Sequence, residues 1–210
     1  MDEQSPQLKP EWYFCVVNKA IKIAILISGQ GSNARNIIER FENQSDNEIV
    51  RVLSTRENPD MALFCAKRNI AFESFDSYDE TKCLKVLQQD QVDMVVLAGF
   101  LKKIGPAMLQ AFPHKIINVH PSLLPKFGGK GMYGARVHKA VFDHKESKSG
   151  ITIHLVNENY DEGEQIAQFE CYIDPSDTAK EIESKVRKLE AEHFPETVFQ
   201  FALQLSQCVL

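Results

Sequence analysis

The sequence is poor in the features that mark membrane, secreted or nucleic-acid-binding proteins. Its five cysteines, Cys15, Cys65, Cys83, Cys171 and Cys208, are odd in number, widely spaced and without a Cys-x-x-Cys pair. That argues against a disulfide framework and a zinc site, and for reduced thiols in a cytoplasm. No apolar run is long enough to span a bilayer; the richest, Ile21 to Ile27, has the length of a strand. Basic residues are not in excess, since 24 Lys and Arg face 29 Asp and Glu for a formal net charge of −5. Broad electrostatic attachment to nucleic acid is therefore not expected. The first twenty residues carry acids and two prolines, with no basic n-region or clear apolar h-region, so they do not read as a signal peptide. Residues 1–20 read as an extension ahead of one domain over 21–207, with no repeat, low-complexity tract or interdomain linker.

What is present is a regular alternation of strand and helix patterns through the first two-thirds, as in an α/β fold with a mostly parallel central sheet and helices on both faces. Ile21 to Ile27 is a near-continuous apolar run, as a central parallel strand requires. After a short loop, Ala34, Ile37, Ile38 and Phe41 recur at helical spacing. Ile49 to Leu53 is a second strand, Asn58-Pro59 opens a helix through Lys67, and Ala71-Phe72 is a short third strand. Ser77 and Glu80 form a capping-box pattern for a helix to about Gln89. Val92 to Leu97 is a further buried strand, and Pro106 suits the first turn of a helix carrying Met108, Leu109 and Phe112. Strands are expected at Ile151 to Val156 and Gln165 to Tyr172. A long amphipathic helix follows from about Thr178, kinked or restarted at Pro195.

Between these lies Ile116-Ile117-Asn118-Val119-His120-Pro121-Ser122-Leu123-Leu124-Pro125. Side chains alternate along a strand, so Asn118 and His120 share one face while Ile117 and Val119 take the other. Pro121 and Pro125 stop the ladder and stiffen its exit. An amide donor beside an imidazole at a strand end can hold a developing oxyanion and handle protons at neutral pH; the plainer reading is a pair bonded to nearby loop backbone. Ser28-Gly29-Gln30-Gly31-Ser32-Asn33 joins the first strand to the first helix, where free N–H groups favour a phosphate. With Ala34 it also satisfies the loose Gly-x-Gly-x-x-Ala dinucleotide pattern. The second strand, however, ends Leu53-Ser54-Thr55-Arg56 without the acid that would hold ribose hydroxyls. A tight turn without a ligand is the third reading. Asp161, in the polar turn Asn157 to Gly163, is either turn chemistry or an orienting and proton-holding partner for a histidine. His154, on the polar face of its strand, reads as a site member or, slightly favoured, a satisfied core histidine. His114, His138, His144 and His193 have no ligand spacing and read as surface or helix residues.

Taken in order, these pieces resemble the glycinamide ribonucleotide formyltransferases, folate-dependent enzymes of purine synthesis. The resemblance runs from about Ile21 to beyond Pro195. It rests on the loop at 28–33, Val95-Val96-Leu97-Ala98-Gly99-Phe100, the Asn118–Pro125 string, Gly150-Ile151-Thr152-Ile153-His154 and Tyr160-Asp161-Glu162-Gly163. The string is shared by folate formyltransferases and hydrolases as a group, and the phosphate loop narrows the group to the ribonucleotide enzymes. The resemblance implies a formyltransferase fold with a Rossmann-like N-terminal half, and formyl transfer from 10-formyltetrahydrofolate to the glycinamide amine without a metal. It implies that Asn118 and His120 stabilise the oxyanion, that Asp161 positions His120 and a proton-carrying water, and that His154 lines the site. Gly31, Ser32 and Asn33 would bind the phosphate and Glu190 the ribonucleotide. Leu101, Lys102 and Ile104 would line the pterin pocket with backbone from Asn157 through Tyr160 to Asp161. The implied partners are small molecules, not nucleic acid or membrane, for a cytoplasmic monomer or homodimer.

Two stretches depart from the family pattern. A short Lys-aromatic-Pro-Gly segment is replaced by Lys126-Phe127-Gly128-Gly129-Lys130-Gly131-Met132-Tyr133-Gly134, whose four glycines suggest a mobile lid or a variant folate contact. Lys102 stands where an Arg is common. Among alternatives, methionyl-tRNA formyltransferase adds a C-terminal nucleic-acid-binding domain, and formyltetrahydrofolate hydrolase places a regulatory domain ahead of the shared core. A non-catalytic folate or nucleotide sensor has little need of Asn118, His120 and Asp161 together, and a dehydrogenase leaves the Asn118–Pro125 string without a role.

Overall fold

In the computed structural model, which describes residues 19–42, 46–75 and 77–207, the apolar run near the N terminus forms β1 (Lys22–Ile27), buried from Ile23 onward. A strand apolar on both faces needs cover on both, and β1 is central, paired in parallel with β2 (Glu48–Ser54) and β4 (Met94–Leu97). With β3 (Ala71–Ser74), β5 (Ile116–His120), β6 (Lys148–Leu155) and β7 (Gln165–Tyr172), the sheet runs β3-β2-β1-β4-β5-β6-β7. Strands β1 to β5 are parallel, whereas β6 is antiparallel to both β5 and β7. The extension read over residues 1–20 lies outside the described residues except for 19 and 20.

Each sheet face carries its own apolar layer. Ile23, Ile25, Ile27, Ile117 and Val119 pack with α1 (Ser32–Phe41), α2 (Pro59–Ala66), α5 (Ala135–Asp143) and the long α6 (Ala179–Gln207). Ala24, Leu26, Val95, Leu97 and Ile116 pack with α3 (Glu80–Gln89) and α4 (Pro106–Ala111). Cys65 and Cys83 are buried in these layers, and burial pushes their thiols up to about 11 and about 12, so they stay protonated and inert. No helix among the described residues is long and apolar enough to cross a membrane.

Several elements differ from expectation. The residue that caps α3 is Asp79, which accepts the N–H groups of Thr81 and Lys82. The expected Ser77–Glu80 box is absent because Glu80 reaches away, accepting the Met108 N–H in the first turn of α4. A reciprocal box does form at α6, between Thr178 and Glu181. That helix runs unbroken through Pro195, which is buried with Phe194, Val198 and Phe199 against the sheet. Helix α5 was not anticipated. Strand β6 begins at Lys148, ahead of the expected Ile151, while β4 begins at Met94, later than Val92.

The order reverses between β1 and β4, since β2 lies on one side of β1 and β4 on the other. Ligand crevices in open α/β sheets form at such a switch point, outside the C-terminal strand ends. The loops after β1 and β4 meet there: Ser28 N–H donates to Gly99 carbonyl, and Ser28 Oγ accepts the Leu101 N–H and the Thr55 hydroxyl. Asn58 ties in α2. Its side-chain oxygen caps the helix by accepting the Met61 N–H, and its Nδ2 donates to the Gly29 and Gln30 carbonyls. Asn58→Ala is expected to lower stability by about 1–2 kcal/mol, the range for a lost N-cap. Urea denaturation measures it, and an unchanged midpoint would show that Asn58 does not hold this junction.

Candidate active site

A cavity of about 550 Å³ opens at the C-terminal ends of β1, β4 and β5, within the range of small-molecule sites. Every site residue implied by the resemblance lines it, from Gly31, Ser32, Asn33 and Glu190 to Asn118, His120, His154 and Asp161, and on to Leu101, Lys102, Ile104, Asn157 and Tyr160. At one end is the start of α1. Gly31, the N-cap, has φ +82, in the left-handed region that glycine reaches without strain, and no side chain caps the helix. The first N–H groups of α1 are left without a side-chain cap, as an anion site requires. From α6, Glu190 accepts a hydrogen bond from Asn33 Nδ2 at 2.8 Å, and burial pushes its carboxyl above the ordinary value against the pull of Asn33.

Next to this end, β5 and β6 bring their polar positions together. Asn118 is paired directly with His154 and His120 with Thr152, while Val119 and Ile153 point to the opposite face. His154 Nδ1–H donates to the Leu155 carbonyl at 2.8 Å, which leaves Nε2 to accept from Asn118 Nδ2 at 3.1 Å. Burial pushes the His154 imidazole below its ordinary value and outweighs Leu155 and Asp161, so the ring is neutral and suits the acceptor role. This fixes the Asn118 amide with its NH₂ toward His154, leaving a second N–H free. His154 is thus a satisfied histidine that also lines the cavity.

His120 Nε2–H donates to the Phe127 carbonyl at 2.8 Å, and its Nδ1 lies 3.4 Å from Asp161 Oδ2. The same oxygen accepts the Gly129 N–H at 2.8 Å, and Asp161 Oδ1 is 3.8 Å from His154 Nε2. Burial alone would raise the Asp161 carboxyl. The hydrogen bond and charge of His120, the Gly129 N–H and His154 together hold it below the usual carboxylate range. Asp161 is therefore ionised at neutral pH. The glycine-rich segment that departs from the family pattern supplies both backbone contacts, and Gly129, Gly131, Met132, Tyr133 and Gly134 line the cavity.

The exit from β5 is braced from below. The Thr152 hydroxyl donates to the Ser122 carbonyl and accepts the Leu124 N–H, and Gln168 Nε2 bonds both Thr152 and the Leu124 carbonyl. This network is the local reason that His120 is held at the strand end. The far side of the cavity is less polar: Leu97, Leu101, Ile104 and Val156 line it with the 157–161 turn, which suits a flat heteroaromatic ring. Lys102 lines its edge, and the Lys103 ammonium lies 5.4 Å from the Tyr160 ring centroid. The end of β2, Leu53 to Arg56, where a dinucleotide site would have its ribose-binding acid, contributes nothing to the wall. Among the described residues no group of three or more His, Cys, Asp or Glu is arranged to hold a metal ion.

Sequence reasoning missed His138, Asn36 and Arg187, all in the cavity wall. His138 is in a helix, as one reading had it, but is buried, whereas His114 and His144 are exposed. Val137 and Val141, one helical turn apart, were the only local sign of α5.

Comparisons with known proteins give the chain's family. A family model described as formyl transferase matches residues 21–198. The chain is 38% identical over 186 residues to the chloroplastic phosphoribosylglycinamide formyltransferase of Arabidopsis thaliana, covering 84% of this chain and 64% of that protein. It is 40% identical to the Vigna unguiculata protein of the same name, spanning 59% of its length. The chain thus spans about three-fifths of these plant relatives. The Bacillus subtilis phosphoribosylglycinamide formyltransferase is 32% identical over 189 residues, covering 85% of this chain and 93% of that one. Among solved structures, glycinamide ribonucleotide transformylase 1 from Geobacillus kaustophilus superposes with a TM-score of 0.79 at 28% identity, covering 88% of this chain and all of that one.

Proposed function

Because this chain belongs to the formyl transferase family, we propose that it moves the formyl group of 10-formyltetrahydrofolate onto the amine of glycinamide ribonucleotide, a step of purine synthesis. One observation carries the reading. A single cavity contains an uncapped helix start suited to a phosphate, an apolar slot suited to a pterin, and the Asn118–His120–His154–Asp161 cluster.

The folate, when bound, supplies an activated formyl group. Gly31, Ser32 and Asn33 hold the ribonucleotide phosphate, and Glu190 accepts from the ribose hydroxyls. Leu101, Lys102 and Ile104 hold the pterin with the turn from Asn157 through Tyr160. As the amine attacks, a carbon–nitrogen bond forms and negative charge gathers on the formyl oxygen. Asn118 meets that charge with its free N–H, oriented by His154, and His120 adds a second stabilising group. The two nitrogens of His120 are held by the Phe127 carbonyl and by Asp161, so the ring stands fixed beside the formyl oxygen. Asp161, ionised at neutral pH, takes the proton that the amine must lose and returns it, directly or through a water, to the leaving folate nitrogen as the old bond breaks. No charge is left behind, so no metal is required.

The same reading makes 21–207 one catalytic domain preceded by an extension. It acts on small molecules, away from nucleic acid and membrane, in a reducing cytoplasm-like compartment, as a monomer or homodimer. Spectroscopic assay of folate deformylation by the purified protein tests it. Deformylation is expected only with the ribonucleotide present. Loss without it would identify a hydrolase, and no loss in either case would leave a binding protein.

A further inference from the structure

Of the three buried side-chain polar atoms without a hydrogen-bond partner among the described residues, on Tyr78, His138 and Ser149, only that of His138 belongs to the cavity wall, and the proposed reaction leaves it without a task. His138 lies in α5 and is 4% exposed, and its ring lines the cavity. Its Nδ1 is enclosed and has no hydrogen-bond partner among the described residues. Burial pushes this imidazole below its ordinary value, Glu183 pulls the other way, and Arg187 and His120 lower it further. The ring is therefore neutral at neutral pH and carries one proton. A proton on the enclosed nitrogen would be a buried N–H without an acceptor, the costlier of the two orphans. The neutral ring thus has its N–H on Nε2. With Nδ1 turned into the protein, the ring edge facing the cavity is the one that carries Nε2–H.

The position of this donor limits what it can meet. His120 of the reacting cluster and Glu183 and Arg187 of α6 are near enough to act on its charge, and all three line the same cavity. It is therefore within reach of both the reacting cluster and the α6 wall that carries Glu190. The phosphate is already served by the start of α1. The acceptor left between phosphate and amine, one carbon from the amine, is the carbonyl oxygen of the substrate's own amide. A neutral N–H matches a neutral carbonyl better than it matches a phosphate.

Resting on the proposed function, we propose that His138 binds substrate, its Nε2–H holding the amide carbonyl of the glycinamide arm and so aiming the amine at the formyl carbon. The substrate class is then a phosphoribosyl amide with a primary amine beside the carbonyl, and His138 is a specificity determinant for that arm.

The test compares wild type with His138→Leu, which removes the donor, and His138→Gln, which keeps one; His138→Phe is a second donor-free variant should Leu fail to fold. In the donor-free variant KM for glycinamide ribonucleotide should rise about 3- to 10-fold, the worth of one neutral hydrogen bond. KM for the formyl folate should not move, and Gln should recover part of the loss. Ribose 5-phosphate, which lacks the arm, should bind wild type and variant equally by calorimetry. An unchanged ribonucleotide KM, or parallel weakening of ribose 5-phosphate and folate, would overturn the inference. Wild-type protein that neither binds nor formylates the ribonucleotide would overturn the proposed function as well, whereas normal wild-type turnover with an indifferent Leu variant would overturn this inference alone.

Discussion

Asn118→Ala is expected to lower turnover by about 10²–10³, the usual effect of removing one oxyanion donor, which is about 3–4 kcal/mol of transition-state stabilisation. The size follows from preorganisation. One N–H of the Asn118 amide is committed to His154 Nε2 at 3.1 Å, so the other is fixed before substrate arrives. The fold should survive, because the strand continues its pairing with β4 and β6 through backbone groups that alanine retains. Asn118→Asp should be at least as damaging, since it presents an acceptor to two sites that need a donor. Steady-state kinetics with circular dichroism on the same samples checks both variants. Near-normal turnover in a folded Ala variant would remove Asn118 from the mechanism.

Asp161→Asn is expected to abolish most activity, by about 10²–10⁴, the range for a positioned acid or base, while the ribonucleotide still binds. The exchange is a clean one. Asp161 has φ +59, a left-handed conformation that asparagine tolerates well, and the amide oxygen can still accept the Gly129 N–H. Only the charge and the proton-accepting capacity are lost. The pH dependence separates the two variants. In the folded protein the Asp161 carboxyl is held below its ordinary value, so the active ionised form persists to lower pH than a free carboxylate would allow. The acid limb of the rate profile should therefore lie below the ordinary carboxylate range. The stability term has the same sign: it is fully present above the unfolded-state value and disappears as pH falls through the lowered folded value. In Asp161→Asn that acid-side loss of stability should shrink. An acid limb at the same pH in both proteins would show that another group titrates there.

The parts of the fold that were legible are those in which local sequence and tertiary role agree. The apolar run of β1 needs two covered faces and is central; the alternation in β5 puts Asn118 and His120 on one face, where they are found. Gly31 stands where the chain takes a positive φ at the start of α1. The parts that were not legible depend on contacts between distant segments. Glu80 suits a capping box by position, but its carboxylate finds the Met108 N–H of another helix. Strand β6 extends across Gly150 because the absent Cβ leaves room for the Phe169 carbonyl of β7, which would lie 2.0 Å from it. A glycine in that place reads locally as a strand end. Pro195 reads as a kink, yet the burial of its neighbours against the sheet offsets a missing hydrogen bond. Helix α5 has Gly134 as its N-cap, without a side-chain cap and after a glycine-rich loop, so only the Val137–Val141 spacing announces it locally, and His138 was lost with it.

The site was more legible than the loop around it. Asn118, His120 and His154 fall near the C-terminal ends of strands and Ser32 and Asn33 in the first turn of α1, positions that the alternating α/β pattern fixes, whereas Glu190 stands in the middle of α6 and Asp161 in the turn after β6. The 126–134 segment has no such frame, and the Phe127 carbonyl and Gly129 N–H that hold His120 and Asp161 are backbone groups that no side-chain pattern reveals.

The most direct test of the central claim follows the formyl carbon itself. Purified protein is mixed with 10-formyltetrahydrofolate labelled with carbon-13 in the formyl group and with glycinamide ribonucleotide, and carbon NMR locates the label. The account predicts that it appears as an amide on the ribonucleotide nitrogen, at a rate that collapses in Asn118→Ala and Asp161→Asn. Label recovered as free formate, or left on the folate while both substrates are bound, would contradict it.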